Sequence, residues 1–167
     1  MMIKAIETEY NGYRFRSRLE ARWAVFFDAA GIEYQYEPEG YDLGDGIWYL
    51  PDFWLPADRH PAHPGAGYFL EIKPIEPSNK EIEKIRRLSI GTKHSSYLFY
   101  GPPGVKANGF IKTGKSGGVY EQKIGMPEDV QDMWGGLLGI QLQSNRNEKL
   151  PCLYAATTKA KSARFGR

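Results

Sequence analysis

Three acids and a lysine are the residues of this chain whose types and spacing could do chemistry together. Glu71 and Lys73 flank Ile72 in the run Tyr68-Phe69-Leu70-Glu71-Ile72-Lys73, Asp52 follows Pro51, and Glu20 lies in an arginine-rich segment. In an extended strand side chains alternate, so Glu71 and Lys73 share one face while Ile72 points to the other. Pro74 ends the strand by removing a ladder donor. Asp52 and Glu71 can hold a divalent cation, because Mg²⁺ takes hard oxygen ligands and keeps several waters. A cation so held activates water and acts as a Lewis acid on a phosphoryl oxygen. The chemistry that fits is hydrolysis of a phosphodiester.

The set Glu20, Pro51-Asp52 and Glu71-Ile72-Lys73 resembles the PD-(D/E)xK, or restriction-endonuclease-like, nuclease superfamily. Its pattern is a helical Glu, then Pro-Asp at a strand end, then Glu-x-Lys on the next strand. The tripeptide alone is a weak signal; the full set in this order is a specific one, and it covers roughly the first hundred residues. The resemblance implies a Mg²⁺-dependent endodeoxyribonuclease, with Mn²⁺ as a substitute metal and DNA as partner. Asp52, Glu71 and the main-chain carbonyl of Ile72 would be metal ligands. Lys73 would orient the attacking water and stabilise charge in the transition state. Glu20 would complete the site, through a water or as a ligand of a second metal. The chain is similar in size to stand-alone phage or mobile-element enzymes, junction resolvases and nicking enzymes. Cutting two strands would need two sites, and so a homodimer.

Plainer readings compete. Ser17-Arg18-Leu19-Glu20 also spells a capping box. Asp52 could start a turn, and Glu71 and Lys73 could pair on a solvated strand face. Against this, Phe69, Leu70 and Ile72 argue for a central strand, where charged side chains need a purpose. The alternative function is a catalytically idle nucleic-acid-binding or protein-interaction module on the same fold.

Arg14, Arg16, Arg18 and Arg22 cluster around the first helix, whose N-terminus itself favours anions, and are the expected contacts to a DNA backbone. Lys80, Lys84, Arg86 and Arg87 carry less weight because Glu81 and Glu83 neutralise part of that surface. Residues 109–116 fit the Walker A spacing, but Gly117-Gly118 and the strand-like Val119-Tyr120 follow where a helix is required. That segment is expected to be a basic loop. Asp58, His60 and His63 share a Pro-rich loop without cysteines, a poor structural zinc site. Nothing around Cys152 resembles a nucleophile with its base.

Length and composition set the frame. With 167 residues, 41% hydrophobic and 14% aromatic, the chain can bury a core as one domain. A net charge of only +2 provides no global polycation, so nucleic-acid binding must come from local clustering. A single cysteine excludes an intramolecular disulfide and points to a reducing compartment. The start, Met1-Met2-Ile3-Lys4, leads straight into polar sequence, so no signal peptide is expected. No apolar stretch approaches the ~20 residues of a membrane span. The expected location is cytoplasmic, without membrane contact.

These residues must be positioned by secondary structure. Leu19, Trp23, Phe26, Phe27 and Ala30 recur at helical spacing, with Ser17 as cap and Gly31 as stop. Strands are expected at 33–37, at 47–50 ending at Asp52, and at 68–73, with a turn over 40–46 and a loop over 56–67. Ser78 caps a second helix with Ile82, Ile85 and Leu88 inward, closed by Gly91. A strand over 96–100 follows as a parallel neighbour. The expected fold class is α/β, with the order α-β-β-β-α-β that the resemblance also implies: a mixed central sheet flanked by helices. The whole chain, 1–167, is expected to be a single nuclease domain with its core at about 10–101. Residues 102–167 would be a family-specific extension, with a loop over 101–125, a short helix over 127–134, a strand over 137–142 and a basic helix over 150–165.

Overall fold

The computed structural model describes residues 4–56, 65, 67–103 and 150–166, and for 150–153 the backbone only. The expected short helix, the strand over 137–142, the Walker-like loop and the Asp58, His60, His63 loop all lie outside the described residues. Among the described residues there are three helices, a four-stranded mixed sheet and two small hairpins. No helix among them is long and apolar enough to cross a membrane.

The chain opens with a hairpin, β1 (Thr8–Tyr10) against β2 (Tyr13–Phe15). Its turn residues Asn11 and Gly12 both have positive φ, 49° and 80°, as a two-residue turn matched to strand twist requires. Helix α1 (Arg18–Ala30) follows, capped by the Ser17 hydroxyl accepting from the Glu20 N–H and closed by Gly31 in the left-handed region. The short β3 (Gln35–Tyr36) leads to a second hairpin, β4 (Tyr41–Asp42) with β5 (Trp48–Tyr49). Then come β6 (Phe53–Pro56), β7 (Gly67–Lys73), α2 (Asn79–Thr92), β8 (Ser95–Tyr100) and α3 (Leu150–Ser162).

The main sheet runs β3-β6-β7-β8. β6 is antiparallel to both β3 and β7, and β8 is parallel to β7, the neighbour expected from a strand-helix-strand crossover. β7 is therefore interior. Gly67 opens it because a Cβ there would stand 2.1 Å from the Trp54 ring on β6.

One expectation is corrected. Residues 47–50 do not form the sheet strand that ends at Asp52. Trp48 and Tyr49 pair with Tyr41 and Asp42 across the Gly44-Asp45-Gly46 turn, and Pro51, which has no N–H, breaks the run. The strand that joins the sheet begins at Phe53, so Asp52 stands just before β6. Its Phe53 and Leu55 are buried and Trp54 is only partly so, the period-two pattern of a strand. Helix α2 also passes Gly91: the Thr92 hydroxyl donates to the Leu88 carbonyl at 2.7 Å, and Lys93 takes the left-handed closing position.

Two apolar layers hold the sheet. On one face Phe53, Leu55, Leu70, Ile72, Tyr97 and Phe99 pack against Trp23, Phe26 and Phe27 of α1, with Ala156 and Ala160 of α3. On the other, Phe69 and Leu98 pack against Ile85 and Leu88 of α2, with Tyr49 of the second hairpin. Burying each large side chain contributes about 1.5–3 kcal/mol, so both faces of β7 are anchored. Glu71 and Lys73 alternate with the first layer and so lie on the α2 face.

Candidate active site

Asp52, just before β6, and Glu71, in β7, meet where the β6–β7 ladder ends. The Ile72 N–H donates to Asp52 Oδ2 at 2.7 Å, and the Asp52 N–H donates to Glu71 Oε2 at 3.2 Å. Each acid thus has one oxygen fixed by main chain beyond the last β6–β7 pair, Phe53 with Leu70. The remaining oxygens face cations. Arg16 Nη2 lies 2.9 Å from Asp52 Oδ1, and Lys73 Nζ lies 2.7 Å from Glu71 Oε1. Lys73 also reaches Glu81 in the first turn of α2 at 3.6 Å.

Asp52 is 2% exposed and Glu71 4%, an expensive place for charge. Burial, then the neighbouring Glu71 and Glu20 carboxylates, hold the Asp52 carboxyl well above its usual range, against the Ile72 N–H and Arg16. For Lys73, burial works against its charge, yet Glu71, Asp52 and Glu81 outweigh it and leave the ammonium above its ordinary value. Tyr49 is raised as well, by burial and then by the Glu71 carboxylate beside it.

Glu20, expected to complete the site, stands behind the pair. Its Oε1 accepts from the Ser17 hydroxyl at 2.7 Å and its Oε2 from the Tyr36 hydroxyl, so each oxygen carries one hydrogen bond, from the helix cap and from β3. It acts on Asp52 through space. Among the described residues no group of three or more His, Cys, Asp or Glu side chains is arranged to hold a metal ion. What the geometry provides is a two-carboxylate pair. In a strand the N–H and C=O of one residue point the same way. Since the Ile72 N–H meets Asp52, its carbonyl faces that side too.

A hard divalent cation fits this pair on charge. Around it stand the carboxylates of Glu20, Glu37, Asp52, Glu71 and Glu81, against the cations Arg16 and Lys73. The surplus is negative, and two acids with a carbonyl suffice for Mg²⁺, which fills its octahedron with water.

The four arginines do not form one surface. Arg22 donates to the Ala160 and Lys161 carbonyls at 2.8 and 2.9 Å and lies over the Phe165 ring, closing the end of α3. That satisfies orphan helix carbonyls, a structural task that helical spacing alone does not disclose. Arg14 pairs with Glu7 on the surface, Arg16 points into the site, and Arg18 is exposed at the start of α1. On α2, Arg86 and Arg87 pair with Glu83, and Arg87 also reaches Asp45.

Tyr36, Glu37 and Tyr49 were not foreseen as site residues. Tyr36 accepts from the Arg16 N–H at 3.0 Å while donating to Glu20, and Glu37 holds Arg16 Nε. In the sequence they are ordinary strand residues; the pairing of β3 with β6 brings Tyr36 and Glu37 to Asp52, whereas Tyr49 comes from β5, three residues before it. Comparison with family models, curated proteins and solved structures returned no match.

Proposed function

We propose that this chain is a metal-dependent DNA endonuclease with a restriction-endonuclease-like core. One observation carries the reading: Asp52 and Glu71 are buried side by side, joined by the Asp52 N–H donating to Glu71 Oε2, with Lys73 at 2.7 Å from Glu71 and the Ile72 N–H donating to Asp52. An idle sheet end has no physical reason to bury two acids whose charge opposes folding. With the second hairpin set aside, the order α1, β3, β6, β7, α2, β8 also supports it.

Asp52, Glu71 and the Ile72 carbonyl would hold Mg²⁺, with Mn²⁺ as substitute. That ion would supply an activated water and a Lewis acid at the phosphoryl oxygen. Lys73 orients the water and offsets charge on the phosphoryl group. The water oxygen forms a bond to phosphorus as the ester P–O bond breaks; the water gives up a proton and the leaving oxygen takes one up. Glu20, held by Tyr36 and Ser17, sets the potential at Asp52 instead of binding metal. Cutting both strands would use two copies of the chain.

The idle-module reading is favoured by the hydroxyl groups of Ser17 and Tyr36 that hold both oxygens of Glu20. A cleavage assay on linear, nicked, single-stranded and branched DNA decides between them. Cutting in Mg²⁺ or Mn²⁺, its loss with chelator, and its loss in both Asp52→Asn and Glu71→Gln are expected. DNA binding without cutting of any substrate in either metal would establish the idle module.

A further inference from the structure

We infer that Arg16 exchanges its guanidinium between Asp52 and a DNA phosphate, leaving Asp52 when a divalent cation takes Oδ1. The inference rests on the proposed metal site. Asp52 has one oxygen fixed by the Ile72 N–H, and the other, Oδ1, is the one that Arg16 holds at 2.9 Å. A guanidinium and a divalent cation on the same oxygen would bring like charges into contact in a poorly solvated place.

Arg16 is built to leave. Its side chain is 55% exposed, whereas that of Asp52 is 3% exposed. Its main chain is fixed: the N–H donates to the Tyr36 hydroxyl at 3.0 Å, and the next residue, Ser17, caps α1. The side chain can swing while its root stays, with Glu37 on Nε keeping it at the mouth of the site. A guanidinium presents a fork of donors that matches phosphate. It would do so beside the N-terminus of the 13-residue α1, where main-chain N–H groups also favour an anion. Arg14 pairs with surface Glu7 and Arg22 closes the end of α3, so neither holds an oxygen of Asp52. Arg16 would therefore couple cation binding to DNA binding, and the coupling must be reciprocal.

The experiment measures affinity for a DNA duplex by fluorescence anisotropy, in Ca²⁺ to suppress cutting and in chelator. Ca²⁺ uptake is measured by calorimetry. In wild type, Ca²⁺ should tighten DNA binding; in Arg16→Gln that gain should shrink by about fivefold or more, the range of ordinary coupling between sites. Arg18→Gln, on the exposed side of the same helix, should weaken binding by one factor in both conditions and leave the ratio intact. Arg16→Lys keeps the charge without the fork and should fall between. It carries the test if circular dichroism shows the glutamine variant unfolded. A ratio in the tested Arg16 variant equal to wild type, or no Ca²⁺-dependent gain in wild type, overturns the exchange and leaves the metal site standing. A wild-type protein that takes up no Ca²⁺ overturns both.

Discussion

The Asp52 N–H donates to Glu71 Oε2 across a separation of 19 residues, at 3.2 Å, where β6 and β7 have just ceased to pair. Beyond Phe53 and Leu70 the ladder has no further partner residue, so side-chain oxygens take over the main-chain donors. The same two bonds that end the sheet therefore aim the remaining oxygen of each acid outward. Asp52, Glu71 and Lys73 need no left-handed backbone for this; among the site residues Glu37, which holds Arg16, has positive φ, 45°.

The first prediction concerns the cost of that arrangement. Burial and two neighbouring acids raise the Asp52 carboxyl well above its unfolded value, so in the folded protein it binds protons more readily. Stability then falls as pH rises from 3.8 through the raised folded value. Asp52→Asn keeps the shape and removes the charge, so it should gain about 1 kcal/mol at neutral pH while cleavage is lost. The gain should fade as pH is lowered, as the raised carboxyl of wild-type Asp52 takes up its proton in the folded state. Urea titrations of both proteins across that range measure it; a variant less stable than wild type at neutral pH contradicts it.

Lys73 is predicted to behave oppositely. Its side chain is 26% exposed and pairs with Glu71 at 6%. Its raised value means that the pair stabilises the fold up to about pH 10.5 and that this is lost as pH rises further, through the folded value. Lys73→Met should cost about 2 kcal/mol, less than a fully buried pair because Lys73 is partly solvated. Adding Glu71→Gln should recover most of that, since no charge is then left buried alone. Additive losses in the double variant, by urea unfolding, would refute the pairing.

How far the sequence disclosed this follows from the range of each signal. Local signals were readable: Ser17 and Gly31 bound α1, Ser78 starts α2, and strand alternation puts Glu71 and Lys73 on one face with Ile72 on the other. The Asn11-Gly12 turn signal is equally local and marks the β1–β2 hairpin. Which strand Asp52 borders was not readable, because 47–50 and 53–56 are both short apolar runs and only pairing separates them. Arg22 shows the same limit. Helical spacing groups it with Arg18, but its partners are the Ala160 and Lys161 carbonyls, 138 and 139 residues away.

Lys115 supplies a negative prediction. In the sequence the Walker-like spacing of 109–116 runs into Gly117-Gly118, poor helix formers, where a phosphate loop needs a helix, and the proposed chemistry rests on Asp52, Glu71 and Lys73 instead. Lys115→Ala should leave cleavage within about twofold of wild type, an effect below 0.5 kcal/mol. Loss of cleavage with Lys115→Ala and its retention with Glu71→Gln would move the chemistry to that loop.

The last prediction separates structural from DNA-binding arginines. Arg22 spends its donors on the final carbonyls of α3, and α1 and α3 share the apolar layer that contains Ala156 and Ala160. Arg22→Gln should uncap those carbonyls and lower stability by about 1–2 kcal/mol, the size of a lost cap or charged hydrogen bond. Its DNA affinity should hold, and so should the dependence of that affinity on salt, because no phosphate contact is removed. Arg18→Gln should show the reverse. Stability should stay within about 0.5 kcal/mol, as for an exposed side chain, while affinity drops and the salt slope flattens by about 0.9, the effect of one lost phosphate contact. Chemical denaturation together with DNA affinity at several salt concentrations reads both at once. If Arg22→Gln flattens the salt slope without loss of stability, its guanidinium lies on DNA and not on α3.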